Sequence, residues 1–171
     1  AINDISCVGK CSLTVVLPIV SACGVTCDVL PTALLSTHTG GFPGYTFRDL
    51  SEDIPGILGH WQSLGLSFDY ICSGYLGNVS QISAVLDIRR RFLAPGGKFI
   101  VDPVMGDGGK LYAHFDLGFV EEMKRLCREA DYILPNVTEA CLLSGVPYPA
   151  DGAPLPAREI VGKLSSPHTC P

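Results

Sequence analysis

Apolar residues in this chain fall into short blocks that follow two rhythms. Leu13, Val16, Leu17 and Val20 recur at spacings of three and four, which predicts a helix over residues 11–23, stopped by Gly24. Compact runs rich in branched and aromatic residues predict strands over residues 25–30, 68–72, 98–101 and 132–134, and Ala1-Ile2 reads as a strand already under way. Helical patterns occupy residues 51–64, 80–92, 116–128, 138–144 and 157–164. Ser51 is the expected cap of the first of these, with Glu52 and Asp53 in its first turn and Gly65 at its end. Residues 37–47, rich in Gly, Thr and aromatics, predict a loop, and Pro95-Gly96-Gly97 predicts a turn ahead of the strand at 98–101. Residues 146–156 hold four prolines and read as an irregular connection, and residues 165–171 read as a loop.

Strands alternating with helices imply βαβ units. The expected class is therefore α/β: a Rossmann-like, largely parallel central sheet with helices on both faces. A length of 171 residues fits one domain, spanning residues 1–171. Hydrophobic residues make up 47% and charged ones 17%, and mean hydropathy is +0.31. A sheet buried on both faces would account for that balance. The net charge of −5 argues against nucleic acid as a partner. No apolar run nears the roughly 18 residues of a membrane span, so the cytoplasm is the expected compartment and no membrane partner is expected.

Of the eight cysteines, none falls into finger or ribbon spacing, which argues against structural zinc, and no secretory signal supports disulfides. Cys23, Cys72, Cys127 and Cys141 sit in apolar contexts that predict buried, reduced thiols. Arg89-Arg90-Arg91 ends a helical pattern, where the three charges complement the helix dipole.

The chemistry concentrates where strands end. The strand at 98–101 runs into Asp102-Pro103-Val104-Met105-Gly106-Asp107, a rigid acidic turn. Carboxylates at that end of a strand suit Mg²⁺, which takes one or two of them together with substrate phosphates. The competing reading of Asp102 is an aspartate that shapes the turn before proline. A second cluster follows in Pro135-Asn136-Val137-Thr138-Glu139, where Glu139 also suits a helix start.

These two motifs, in this order, resemble the ribokinase-like small-molecule kinases. Ser12-Leu13-Thr14, Leu17-Pro18, the run from Leu30 to Phe42 that includes Ser36-Thr37-His38-Thr39-Gly40-Gly41, and Ser73-Gly74-Tyr75-Leu76-Gly77 are similar to the pyridoxal kinase branch. The resemblance implies transfer of the γ-phosphoryl group of ATP to the 5′-hydroxymethyl group of a B6 vitamer, with Mg²⁺ and room for a monovalent cation. It implies that Asp102, Asp107, Asn136 and Glu139 serve the metal and the ATP phosphates. It places Asp4, His38, Thr39 and Tyr75 at the vitamer, with Tyr112 bordering the site; His60, His114 and His168 carry no motif and read as surface residues. It also implies a homodimer. In this family the catalytic aspartate and the phosphate-cradling helix start lie in a Gly-Thr-Gly-Asp segment, and no such pattern occurs in residues 1–171; Asp151-Gly152 lacks the rest of it. The expectation is that these residues form the N-terminal part of such a kinase, with its general base beyond residue 171, and that they are inactive alone. Two rival readings are a hydroxymethylpyrimidine-type kinase of the same superfamily and a non-catalytic vitamin-binding fragment.

Overall fold

A computed structural model of the chain describes residues 1–150 and 153–165. The expected loop over 166–171, with His168, and the Asp151-Gly152 pair lie outside the described residues. The elements run β1 (Ile2–Ser6), α1 (Leu13–Ala22), β2 (Leu30–Leu35), β3 (Phe47–Asp49), α2 (Ile54–Ser63), β4 (Phe68–Ser73) and α3 (Val79–Phe92). They continue with β5 (Leu93–Val101), β6 (Gly106–Asp107), β7 (Lys110–Leu111), α4 (Leu117–Arg128), β8 (Tyr132–Ile133), α5 (Val137–Ser144) and α6 (Ala157–Ser165).

Six strands form one sheet in the order β3-β2-β1-β4-β5-β8. Every pairing in it is parallel except that of β3, which lies antiparallel on the edge. From β1 the chain moves outward to β2 on one side and to β4 on the other. The strand order thus reverses between β1 and β4, and a crevice opens beyond their C-terminal ends, the usual ligand position in an open α/β sheet.

The core lies where the alternating strand residues Ile2, Ile71, Phe99 and Val101 meet Leu58 of α2, Ile82 and Leu86 of α3, and Met123 and Leu126 of α4. Side chains as fully buried as Phe99, Ile82 and Met123 contribute roughly 1.5–3 kcal/mol each by leaving water. Trp61 packs edge-on against Phe68 and Phe92, at 5.5 and 6.0 Å between ring centroids, joining α2, β4 and α3. The opposite face of the sheet is less covered: Leu34, Tyr70 and Tyr132 are exposed.

Several expected boundaries shift. The second strand occupies Leu30–Leu35 rather than residues 25–30, because Leu30 and Leu35 pair with Ile2 and Ser6 of β1. The loop over 37–47 ends in the short strand β3. Ser51 does not cap α2. Asp53 stands at that position without a side-chain cap, and the Ser51 hydroxyl is drawn into bonds with Asp49, Asn78 and Gln81. The Pro95-Gly96-Gly97 turn is an irregularity inside a nine-residue strand: Phe68 pairs with Leu93 and Tyr70 with Lys98, so extra residues are accommodated on β5. Cys141 is buried as expected, but Cys23 is exposed, because α1 buries only Leu13 and turns its C-terminal end to solvent. The three arginines close α3, where Arg89 pairs with Glu129 at 2.9 Å and Arg91 with Asp87 at 2.7 Å.

Candidate functional site

A cavity of about 650 Å³ opens at the C-terminal ends of β1, β4 and β5. Asp4, His38, Thr39, Tyr75, Asp102, Asp107 and Tyr112, seven of the residues singled out in the sequence, all border it. They come from β1, the loop between β2 and β3, the end of β4, the acidic turn and the segment before α4. Only the crossover topology unites them.

Tyr75 is held from three sides. Its amide donates to Asn3 Oδ1 at 2.9 Å, and its carbonyl accepts from Thr32 Oγ1 at 2.9 Å. Gly74 must lack a side chain, since a Cβ there would penetrate the Asn3 amide. Behind this, buried Gln81 donates to the Thr32 carbonyl at 2.9 Å and accepts from the Gly77 amide at 2.8 Å. The Tyr75 ring lies 6.0 Å from that of Phe115, whose own ring stacks on Phe119 at 3.9 Å. Burial, with Asp4, Tyr45 and Asp49 nearby, pushes the Tyr75 hydroxyl up to about 12, so it enters the cavity as a neutral donor.

The acidic end is built differently. Asp102 follows β5, and its amide donates to the Ser73 carbonyl at 2.8 Å. Its half-buried carboxylate accepts no hydrogen bond among the described residues, and burial raises its pKa. Asp107 lies in the β6–β7 hairpin and accepts from the Gly108 amide at 2.8 Å. Gly106, before it, packs against the Lys110 carbonyl where no Cβ would fit. The Tyr112 hydroxyl is pushed up by burial, then by Glu139, Asp107 and Asp102.

Asn136 and Glu139 do not border the cavity; they brace it. They form a reciprocal capping box on α5, with Glu139 N donating to Asn136 Oδ1 at 3.0 Å and Asn136 N to Glu139 Oε2 at 2.9 Å. Each also reaches the acidic turn: Glu139 Oε1 accepts from the Met105 amide at 3.1 Å, and Asn136 Nδ2 donates to the Gly106 carbonyl at 2.8 Å. Burial raises the Glu139 pKa against the pull of these backbone donors. The helix-start reading of this pair therefore holds, and the cap itself fastens the turn that carries Asp102 and Asp107.

Residues with no motif complete the lining. Asn3 and Tyr45 border the cavity, as does His114, which read as a surface residue; Tyr45 Oη lies 3.4 Å from His114 Nε2. No local pattern flags Asn3, and only the fold brings Tyr45 and His114 together.

Flat aromatic walls at one end and two carboxylates at the other, of which Asp102 has no donor among the described residues, fit a ring-bearing molecule presented to a cation-bound phosphate. Among the described residues no group of three or more His, Cys, Asp or Glu side chains is placed to hold a metal by itself.

No protein-family model matches the chain. A pyridoxal kinase from Dictyostelium discoideum is 30% identical over 147 residues, covering 82% of this chain and 48% of the relative. The crystal structure of pyridoxal kinase from Lactobacillus plantarum superposes with a TM-score of 0.84 at 39% identity, over 96% of this chain and 57% of that one. The chain belongs to the pyridoxal kinase branch of the ribokinase-like superfamily. A Bacteroides thetaiotaomicron protein described as a phosphomethylpyrimidine kinase, solved in an orthorhombic form with pyridoxal, aligns with a TM-score of 0.88 at 43% identity, over 96% of this chain and 58% of that one. The chain spans about half the length of the pyridoxal kinases it matches. No described helix is long and apolar enough to cross a membrane.

Proposed function

We propose that this chain supplies the vitamer pocket and the acidic metal–phosphate environment of an ATP-dependent kinase acting on the 5′-hydroxymethyl group of pyridoxal, pyridoxine or pyridoxamine. The observation that carries this reading is the cavity at the sheet's crossover, bordered by the His38-Thr39 loop and Tyr75 at one end and by Asp102 and Asp107 at the other. Asp4, His38, Thr39 and Tyr75 hold the ring, with Tyr112 at the border. Phosphoryl transfer depends mainly on placing the acceptor and neutralising charge. These residues orient the alcohol and exclude water from its ring face.

The donor set fits Mg²⁺ held largely through phosphate and water oxygens. Asp102 is a half-buried carboxylate with no internal partner, and a cation would offset the cost of burying it. Asp102 and Asp107 would hold the ion, which would neutralise the ATP phosphates; Asn136 and Glu139 fix the turn that carries both carboxylates. The general base and the anion-binding helix start belong, by family resemblance, to sequence other than residues 1–171. A homodimer remains part of this reading, supported by the apolar side chains Leu17 and Ile19 that α1 leaves exposed.

The description of the Bacteroides protein as a phosphomethylpyrimidine kinase keeps a pyrimidine substrate, as for a hydroxymethylpyrimidine-type kinase, as the second reading. Calorimetric titration of the full-length protein with B6 vitamers, repeated for Thr39→Ala, separates the two. Vitamer binding weakened about tenfold by loss of a hydrogen bond to the ring supports the proposal. Binding of hydroxymethylpyrimidine alone rejects it.

A further inference from the structure

Asp4 is only 5% exposed, yet it borders the cavity. Its Oδ2 accepts from Ser6 Oγ at 3.1 Å. Among the described residues no other donor reaches the carboxylate, and no lysine, arginine or histidine forms an ion pair with it. A buried carboxylate with no counter-charge is costly, so the site is incomplete until something enters it. What enters must offer a donor, and the cost is best offset by a cationic one.

The geometry narrows the class further. Ser6 donates to Oδ2 and leaves Oδ1 without a donor among the described residues, which suits one in-plane N–H. An alkylammonium offers no flat body to lie against the Tyr75 and Phe115 rings that line the same cavity. A protonated heteroaromatic nitrogen supplies one donor, positive charge and a flat body. We propose that Asp4, oriented by Ser6, makes this pocket select the ring-protonated form of its substrate, binding the pyridine as a pyridinium. This rests on the reading of the cavity as a vitamer site. Asp4 becomes the residue that sets specificity by the charge of the ring, and Ser6 the residue that positions it.

The test compares pyridoxine with its deaza analogue, in which CH replaces the ring nitrogen, by calorimetry on full-length wild type, Asp4→Asn and Ser6→Ala. Wild type is expected to bind the analogue about tenfold to a hundredfold more weakly, the usual worth of a charge-assisted hydrogen bond. In Asp4→Asn the two ligands should approach parity. Because Asp4 is buried and its substitution can cost stability, a second readout uses wild type alone: ring-¹⁵N-labelled pyridoxine should give a pyridinium signal in the complex at a pH where the free ligand's ring is neutral. Equal wild-type affinities for the two ligands, or a neutral-ring signal in the complex, overturn the proposal while leaving the vitamer site standing. If wild type binds neither ligand, the vitamer reading itself fails and this inference falls with it.

Discussion

Asp102 is held where burial and charge oppose each other. Burial raises its folded-state pKa above the ordinary 3.8, so the folded protein holds the proton more tightly than the unfolded chain. Stability contributed by this group is therefore present below about pH 3.8 and declines as pH rises through the folded value. Asp102→Asn should raise the melting temperature of the ligand-free protein at pH 7 and lose that advantage near pH 3, as thermal scans at the two pH values would show. The same substitution should lower turnover more than vitamer affinity in the full-length protein. Charge beside a metal and phosphates is needed chiefly in the transition state, and a few kcal/mol there is roughly a hundredfold or more in rate. Wild-type kinetics for the variant would reduce Asp102 to a turn-former. At this scale much was legible, because Asp102, Asp107, His38 and Tyr75 stand in recognisable local patterns. Asn3 and His114 carry no such pattern, and their place in the lining follows from contacts between residues 72 and 69 positions apart.

Elements bring those side chains to one place, and two joints carry the load. At the first, Gly74 lets the end of β4 pass against Asn3. Gly74→Ala forces the amide away from Tyr75, and overpacking of this kind typically costs 1–3 kcal/mol; the denaturation midpoint should fall and vitamer affinity with it. At the second, Asn136 closes the capping box and also holds the Gly106 carbonyl. Asn136→Ala should cost about 1–2 kcal/mol in urea unfolding and reduce activity through the slackened acidic turn. An unchanged midpoint would show that the turn is held by other contacts. Helices were read to within a few residues because their apolar spacing is local. The second strand was not. Val25, Cys27 and Val29 alternate as a strand would, whereas Leu30–Leu35 contains Pro31, which argues against a central strand. Pro31 is tolerated because β3 pairs only with Ala33, Leu34 and Leu35, so no partner requires an N–H at residue 31 on that side.

Across the whole molecule, the sheet order places the His38–Tyr75 end and the Asp102–Asp107 end of one cavity on neighbouring strands, with the core packed chiefly behind one face. Leu34, Tyr70 and Tyr132 expose apolar surface on the other. Residues 1–171 expressed alone should therefore associate or precipitate, which size-exclusion elution would show, and should not consume ATP, since they contain no Gly-Thr-Gly-Asp pattern. ATP turnover by that piece near the rate of the full-length protein would contradict the placement of the base. The broad architecture was legible from the alternation of strand and helix; the uneven covering of the two faces was not, because composition reports how much is apolar and not where it points. The central claim is that the cavity presents the 5′-hydroxymethyl group of a B6 vitamer to ATP, and mass spectrometry of the products tests it most directly. Full-length protein incubated with MgATP and an equimolar mixture of pyridoxine and hydroxymethylpyrimidine should yield pyridoxine 5′-phosphate; phosphorylated pyrimidine with no phosphorylated vitamer would contradict the account.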